Sequence, residues 1–185
     1  MILYATKGRK AEYGHYTRFV YFKLIHPAPD FNLPHPLFSS MIQVSAMERA
    51  IRADTVCVIC NHVSNVFGCI QNIEAVNALC RKKGIPLILD LSQSAGTIPV
   101  SVNELSEAVY LCMPGHKGLY GPQGTGILIC CKGDRHYSIM QGGTGSDSMN
   151  FHQPADLPEG LESGTLNVPG IAGLREGVRF VQSFR

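Results

Sequence analysis

The chain has 185 residues, of which 45% are hydrophobic and 16% charged, as expected for one globular domain or for one domain and part of another. Its formal net charge of +2 gives no reason to expect a nucleic acid or an anionic membrane as a partner. No apolar run reaches the ~18 residues needed to span a bilayer, and the N-terminus lacks the basic-then-apolar order of a signal peptide.

The first part of the chain, residues 1–42, carries few interpretable signals. Residues 16–25 are compatible with a single strand. Prolines at positions 27, 29, 34 and 36 exclude a helix and disfavour a central strand in the run that follows. We therefore treat 1–42 as an N-terminal segment of unclear structure and place the domain proper at 43–185.

From residue 45 onward, helical and strand patterns alternate. Ser45 and Glu48 fit a capping box, which predicts a short helix ending near position 52. Residues 55–60 form a continuous apolar run of strand length, typical of a strand buried on both faces of a parallel sheet.

The seven cysteines are read mainly as small apolar residues. Cys57 and Cys60 have the spacing of a metal clip, but no second pair follows at the distance of a zinc site. An odd number of cysteines without a secretion signal indicates reduced thiols and a cytoplasmic protein.

A second helix and a second strand follow. Asn72 is placed to cap a helix whose apolar positions recur at helical spacing, and Gly84 is placed to end it. Residues 86–89 are an apolar strand that ends at Asp90. Strand, helix and strand joined by short loops predict a right-handed βαβ unit and hence an α/β fold with a mostly parallel sheet.

The second half of the chain predicts two strands and two helices. We expect a short helix at 103–108, a third strand at 108–112, a partner strand at 126–131 and a closing helix that begins near Pro169. One face of the closing helix is predicted to carry its apolar residues, which are Ile171, Leu174, Val178 and Val181.

A glycine-rich loop with one lysine joins the third strand to its partner. Residues 113–126 read MPGHKGLYGPQGTG, and Lys117 lies between Gly115 and Gly118. Glycines let a backbone turn tightly and approach a ligand. An amine that is shielded from water or lies beside a cation loses proton affinity and can attack a carbonyl, so Lys117 is a candidate nucleophile. The alternative is a glycine-rich hairpin with Lys117 in solvent.

Polar residues follow three strands in turn: Asn65 after the first, Asp90 and Gln93 after the second, His116 and Lys117 after the third. Ligands of open α/β sheets sit beyond the carboxyl ends of the strands, so these residues are expected to converge. Pyridoxal phosphate needs a lysine for a Schiff base, an acid for its ring nitrogen, a donor for its phenolic oxygen and a phosphate cradle. Taken singly, each of these residues can also be an ordinary turn or surface residue.

Nucleotide binding is disfavoured by two absent motifs. The chain contains neither G-x-x-x-x-G-K-[ST] nor a G-x-G-x-x-G after a first strand.

Five motifs occur in one order over about residues 43–185, and together they resemble the class V aminotransferase family of pyridoxal-phosphate enzymes. The resemblance is closest to its cysteine desulfurase and selenocysteine lyase branch. The motifs are NHVSNVFG (61–68), DLSQSAG (90–96), GHKGLYGPQGTG (115–126), GGTGS (142–146) and ESGTLN (162–167). The resemblance implies the three-layer large domain of the type I pyridoxal-phosphate-dependent transferase fold.

The resemblance also implies roles for single residues. Lys117 and the adjacent His116 would be the catalytic pair, with Lys117 forming the Schiff base and moving protons, and His116 binding phosphate. Asp90 would pair with the pyridine nitrogen, and Gln93 would contact the phenolic oxygen together with Asn65.

A sixth residue extends the implied site to a second subunit. Thr165 would reach the phosphate of the partner subunit's cofactor, which implies a homodimer with shared sites. The reaction implied is the removal of sulfur or selenium from cysteine or selenocysteine, leaving alanine.

The chain departs from the family pattern in several places. Pro114 stands where many members have a phosphate-binding hydroxyl, and the upstream phosphate loop and ring-stacking aromatic are not recognisable in 1–42. The C-terminal small domain, with its carboxylate-binding arginine and sulfur-accepting cysteine, is expected to be absent. Two alternatives therefore stand beside the lyase: a truncated or degenerate non-catalytic fragment, and a class V aminotransferase with another amino-acid substrate.

Overall fold

A mixed sheet of six strands forms the centre of the fold. The computed structural model describes residues 2–7, 17–22, 41–131, 140–143, 149–154 and 156–184. The strands are β1 Ile2–Lys7, β2 Thr17–Phe22, β3 Thr55–Asn61, β4 Leu87–Asp90, β5 Ala108–Pro114 and β6 Gly126–Cys130. The α-helices are α1 Val44–Ala50, α2 Ile73–Lys83 and α3 Val168–Gln182, and single 3-10 turns occur at Val102–Glu104 and Glu159–Leu161.

The strand order is β2-β1-β3-β4-β5-β6. The central strands β3, β4 and β5 are parallel, whereas β1, β2 and β6 pair antiparallel with their neighbours. The predicted α/β class, with parallel strands at its centre, is confirmed.

One face of the central strands forms the core with α1 and α2. Val58, Leu89 and Leu111, which lie at paired or alternating positions and therefore share a face, are at most 1% exposed. They pack in one cluster with Met47 of α1 and with Val76 of α2. Full burial of each such side chain is worth about 1.5–3 kcal/mol.

The opposite face is less buried than the sequence predicted for β3. Ile59 on that face is half-buried, although Cys57 on the same face is buried. Val56 lies on the Val58 face near the start of the strand and is 36% exposed, so the apolar run of β3 is not buried along its whole length on either face.

Helix α1 begins differently from its prediction. The helix starts at Val44, with Gln43 as N-cap and no side-chain cap bond, so Ser45 lies in the first turn and the expected capping box does not form. Glu48 instead accepts a hydrogen bond from Lys82 of α2 at 2.9 Å. This bond and the positive charge of Lys82 lower the pKa of the Glu48 carboxyl. A partner distant in the sequence thus replaces the local one.

Helix α2 has the predicted ends. The Asn72 side chain accepts a hydrogen bond from the Ala75 backbone N–H at 2.8 Å. Gly84 ends the helix with φ +64°, a left-handed conformation that favours glycine.

Removing this cap is expected to destabilise the fold. Asn72→Ala leaves the first-turn N–H groups of α2 without a side-chain acceptor and should cost about 1 kcal/mol of unfolding free energy, measured by urea titration. Ser101→Ala is a matched control, because Ser101 precedes a 3-10 turn without making a side-chain cap bond. Equal losses in the two variants would contradict the capping role.

The other predicted elements are present with shifted bounds. Strand β4 starts after Pro86, which has no backbone N–H to donate. The helix expected at 103–108 is only one 3-10 turn, and β5 continues to Pro114. Strand β2 falls within the strand expected at 16–25, and β1 was not predicted. The proline-broken run 26–36 and positions 144–146 of the GGTGS motif lie outside the described residues.

Helix α3 packs through a face that overlaps the predicted one. Leu174 is buried and Val178 and Val181 are half-buried, whereas Ile171 is 49% exposed. The other buried positions are Gly170 and Gly177. Gly170, Leu174 and Gly177 recur at helical spacing and form a narrow packing surface, in which two of the three positions have no side chain. No helix in the described part of the chain is long and apolar enough to cross a membrane.

Candidate active site

The carboxyl ends of β3, β4 and β5 lie side by side. Asn61 pairs with Asp90, and Asp90 pairs with Cys112. The ladder continues one step further, because His62 N–H donates to the Asp90 carbonyl and Leu91 N–H donates to the Cys112 carbonyl, both at 2.9 Å. Asp90 therefore sits in the middle of this edge.

The Asp90 carboxylate is held by the turn that follows it. Its Oδ1 accepts the Ser92 backbone N–H at 2.9 Å, and the residue is half-buried. The chain then coils through tight turns, in which Ala95 N–H donates to the Leu91 carbonyl at 2.9 Å. Gln93 lies half-buried on this coil. Asp90 and Gln93, the two predicted residues of this segment, thus both lie near the carboxyl edge of the sheet.

The lysine loop is closed by its own backbone. Gly121 N–H donates to the Gly115 carbonyl, and Gly115 N–H donates to Thr125, both at 2.8 Å. Inside this closure, Tyr120 N–H donates to the Lys117 carbonyl at 2.9 Å and forms a turn. Lys117 therefore starts a turn within a closed loop.

The side chains of His116 and Lys117 are both exposed. Of the two conditions that would lower the proton affinity of the Lys117 amine, shielding from water is therefore not met in the structure, and this exposure agrees with the hairpin alternative. The reason is the loop's composition: glycines on either side of Lys117 supply no bulk to cover its amine.

The Asp90 segment and the lysine loop touch backbone to backbone. A Cβ on Gly96 would overlap the carbonyl of Gly118, and a Cβ on Gly118 would overlap the carbonyl of Ala95. Because only glycine fits at these two positions, the Gln93 coil and the Lys117 turn are brought together with no side chain between them.

Asn65 and Thr165 lie on two other exposed segments. Asn65 is exposed in a turn that closes where Gly68 N–H donates to the Ser64 carbonyl at 3.0 Å. Thr165 is exposed on the segment before α3, next to Gly164, whose N–H donates to Gly143 at 2.9 Å. The structure thus joins the Asp90, Gln93 and Lys117 segments, and it leaves Thr165 on a separate one.

A cleft of about 780 Å³ opens next to this edge. Its walls include Ser92, Pro114, Cys112 of β5 and Leu128 of β6, and the segment 157–162 closes one side. Cys112 pairs with both Asp90 and Leu128, so the cleft lies on the same face of the sheet as Asp90.

The thiols of Cys60, Cys80 and Cys112 are poor nucleophiles in this setting. Burial raises the pKa of Cys60 and of Cys80 to about 12, and it also raises the pKa of Cys112 beside Asp90. No group of three or more His, Cys, Asp or Glu within the described ranges is arranged to hold a metal ion.

One residue at this edge was missed by the sequence reasoning. His62 is only 4% exposed, and its Nδ1 has no hydrogen-bond partner among the residues that the structure describes. Its backbone bridges two segments, donating to Asp90 and accepting from Gln71 at 2.7 Å. Its place within the 61–68 motif was the available signal, but burial cannot be deduced from one polar stretch.

The burial of His62 predicts a pH-dependent stability. Burial lowers the pKa of His62 from its ordinary 6.5, and the nearby Glu74 only partly opposes this. The unfolded chain therefore takes up a proton near pH 6.5 that the folded chain binds only at lower pH. The contribution of His62 to the free energy of unfolding is therefore fully present above about pH 6.5 and decreases as the pH falls below it.

Urea unfolding between about pH 8 and about pH 5.5 tests this linkage. We expect His62→Gln to lose less stability than the unmodified chain over this range. His152→Gln, at an exposed histidine, should follow the unmodified chain. Parallel curves for His62→Gln and the unmodified chain would contradict the expectation.

Comparison with known proteins finds one family. The sequence profile of the family "Aminotransferase class-V" matches residues 34–185. Cysteine desulfurase IscS of Serratia proteamaculans (strain 568) is 35% identical over 150 residues, which is 80% of this chain and 33% of that protein.

Two solved structures resemble the fold. The apo cysteine desulfurase of Thermococcus onnurineus NA1 has a TM-score of 0.63 at 31% identity and covers 78% of this chain and 36% of its own. SspA in complex with cysteine has a TM-score of 0.62 at 28% identity, covering 75% and 37%. The chain thus spans about a third of the length of the relatives it matches.

Proposed function

This chain belongs to the class-V aminotransferase family, and we propose that it binds pyridoxal phosphate at the carboxyl edge of its sheet and serves the removal of sulfur from cysteine. The observation that carries the proposal is the backbone contact between the Asp90–Gly96 segment and the Lys117 turn. It brings an acid and a primary amine to one edge of the sheet with no side chain between the two backbones.

The residues present fit this cofactor. An anionic carboxylate, amide donors, an imidazole and a primary amine are the donor types that it requires. The adjoining cleft of about 780 Å³ is within the size range of small-molecule sites. One element of the fit is weaker, because Pro114 offers no hydroxyl to the phosphate.

When bound, the cofactor supplies an electron sink for negative charge at the substrate Cα. Asp90, whose Oδ1 accepts the Ser92 N–H, would pair with the ring nitrogen. Gln93 and Asn65 would donate amide hydrogens to the phenolic oxygen, and His116 with loop backbone N–H groups would bind the phosphate.

Lys117 has two tasks in this proposal. Its Nζ is the amine that would hold the cofactor's aldehyde, and the same atom would move a proton at the substrate Cα. Its exposure gives an incoming amino acid direct access.

Cysteine is the first substrate to test, because the relatives are called cysteine desulfurases and SspA was solved with cysteine. Selenocysteine is the second. We also propose a cytoplasmic setting, from the odd number of cysteines, and a homodimer in which Thr165 contacts the phosphate bound by the other copy. Sedimentation of the chain with and without the cofactor tests the dimer.

A non-catalytic partial domain is the second candidate. It is favoured by the exposure of Lys117 and His116. The domain would then be 43–185, preceded by the divergent segment 1–42.

Borohydride trapping separates the two candidates. The chain is incubated with pyridoxal phosphate, reduced, digested and analysed by mass spectrometry for pyridoxyl-lysine. We expect the label on Lys117, with little on Lys82, which is also exposed but paired to Glu48. Label that is absent, or scattered equally over surface lysines, would refute the cofactor site and leave the non-catalytic domain.

A further inference from the structure

Helix α3 contacts the lysine loop through a glycine. A Cβ on Gly177 would overlap the carbonyl oxygen of Leu119 and lie 2.7 Å from the carbonyl carbon of Tyr120. Side chains do not tolerate such distances, so Gly177 allows α3 to lie directly on the end of the Lys117 turn.

One turn earlier on the same helix, Leu174 supports the base of the loop. Leu174 is 7% exposed, and its Cδ1 would be 3.1 Å from a Cβ on Gly115 and 2.6 Å from one on Gly121. Gly115 and Gly121 are the two residues whose hydrogen bond closes the loop. Leu174 and Gly177 thus hold the loop at its base and at its turn.

The turn itself is in a conformation that needs support. Tyr120 has φ +55°, the only positive φ of a non-glycine residue among those described. This left-handed conformation costs a bulky side chain about 1–3 kcal/mol. The Tyr120 ring packs edge-on against Phe180 of α3 with centroids 5.2 Å apart, and Phe180 packs on Phe184 at 4.8 Å.

We propose that Leu174, Gly177 and Phe180 are positioning residues for Lys117, acting by holding the 117–120 turn in one backbone conformation. The inference rests on the proposed function, in which Lys117 is the reactive amine. It assigns to α3 a role beyond completing the fold, because the helix fixes the backbone position from which the Lys117 side chain extends. Misplacing a reacting group by about 1 Å can lower a reaction rate about 100-fold.

The test compares two glycines of α3. Gly177→Ala places a methyl group on the turn, whereas in Gly173→Ala the new Cβ meets only the Pro122 ring, at 3.3 Å. Both substitutions gain the same helix propensity, so a difference between them reports the contact. We expect Lys117 labelling by pyridoxal phosphate and borohydride to fall at least about tenfold in Gly177→Ala and to stay within about twofold in Gly173→Ala. A folded Gly177→Ala chain labelled as fast as the unmodified chain would overturn the proposal.

A second variant covers the case in which Gly177→Ala does not fold. Phe180 is 48% exposed, so Phe180→Ala cannot open the core. We expect slower Lys117 labelling and a shifted pH midpoint for the absorbance of the adduct, with rescue by Phe180→Tyr, which keeps the ring. A purely structural role for Phe180 would leave the pH midpoint unchanged.

Hydrogen exchange of the cofactor-free chain separates this inference from the proposed function. The amides of Tyr120 and Gly121 donate the two bonds that close the turn and the loop, and we expect both to exchange faster in Phe180→Ala. Unchanged exchange would overturn the positioning role even if Lys117 is labelled. Absence of label on Lys117 in the unmodified chain would instead defeat the proposed function.

Discussion

Lys117→Ala is expected to abolish the covalent pyridoxyl adduct while leaving the fold unchanged. The side chain is exposed, and the structural contribution of the residue is its carbonyl, which accepts from Tyr120 and is kept by alanine. The free energy of unfolding should therefore change by no more than about 0.5 kcal/mol. Mass spectrometry of the reduced, digested chain measures the adduct, and urea titration measures the stability.

Two further substitutions sharpen this test. Lys82→Ala removes another exposed lysine and should leave the Lys117 label intact. Lys117→Arg keeps the positive charge but cannot attack an aldehyde, because a guanidinium stays protonated at any ordinary pH. We expect this variant to bind the cofactor without a covalent bond. An adduct of unchanged amount in Lys117→Ala would mean that another amine carries the chemistry.

The parts of the fold that were predictable from sequence depend on local signals. Strand β3 was visible as an apolar run, and α2 had a cap at each end, because Asn72 and Gly84 act on residues three or four positions away. Helix α1 was misassigned at its start because Glu48 is bound by Lys82, whose position depends on tertiary packing.

The packing of α3 shows a second limit. Apolar periodicity predicts that Ile171 is buried and predicts nothing for Gly177. It therefore cannot detect a helix face that packs through glycine directly against a neighbouring backbone. The same limit applies to the Gly96–Gly118 contact, which joins two candidate segments but has no signature beyond a glycine in each motif. Glycine-mediated contacts are specified by the partner backbone, which the sequence of one segment does not describe.

The candidate site likewise has features that the sequence predicts and features that it does not. Its order along the strand ends follows from the parallel topology, and the pairing of Asn61 with Asp90 and of Asp90 with Cys112 agrees with it. The sequence left the exposure of Lys117 open, because shielding depends on what covers the loop as well as on the glycines within it. The cofactor roles of Asn65, Asp90, Gln93, His116, Lys117 and Thr165 stay predictions.

Asp90→Asn has the second large expected effect. The asparagine Oδ1 can still accept the Ser92 N–H, so the turn after β4 should keep its geometry, while the negative charge is lost. A hydrogen bond to a charged group is worth about 1.5–3 kcal/mol. We therefore expect pyridoxal phosphate to bind about 10- to 100-fold more weakly, and kcat for alanine formation from cysteine to fall about 10²- to 10³-fold.

The same substitution distinguishes the two roles that the sequence allows for Asp90. If Asp90 only orients its turn, Asn suffices, and both the affinity measured by absorbance titration and the turnover should match those of the unmodified chain. If Asp90 holds the ring proton, affinity and turnover fall together while the urea midpoint stays unchanged, because only this role requires the charge. Asp54→Asn makes the same change at an exposed carboxylate paired to Arg52 at 3.2 Å and should alter neither quantity. A loss confined to Asp90→Asn would therefore assign the charge, rather than the turn, to cofactor binding.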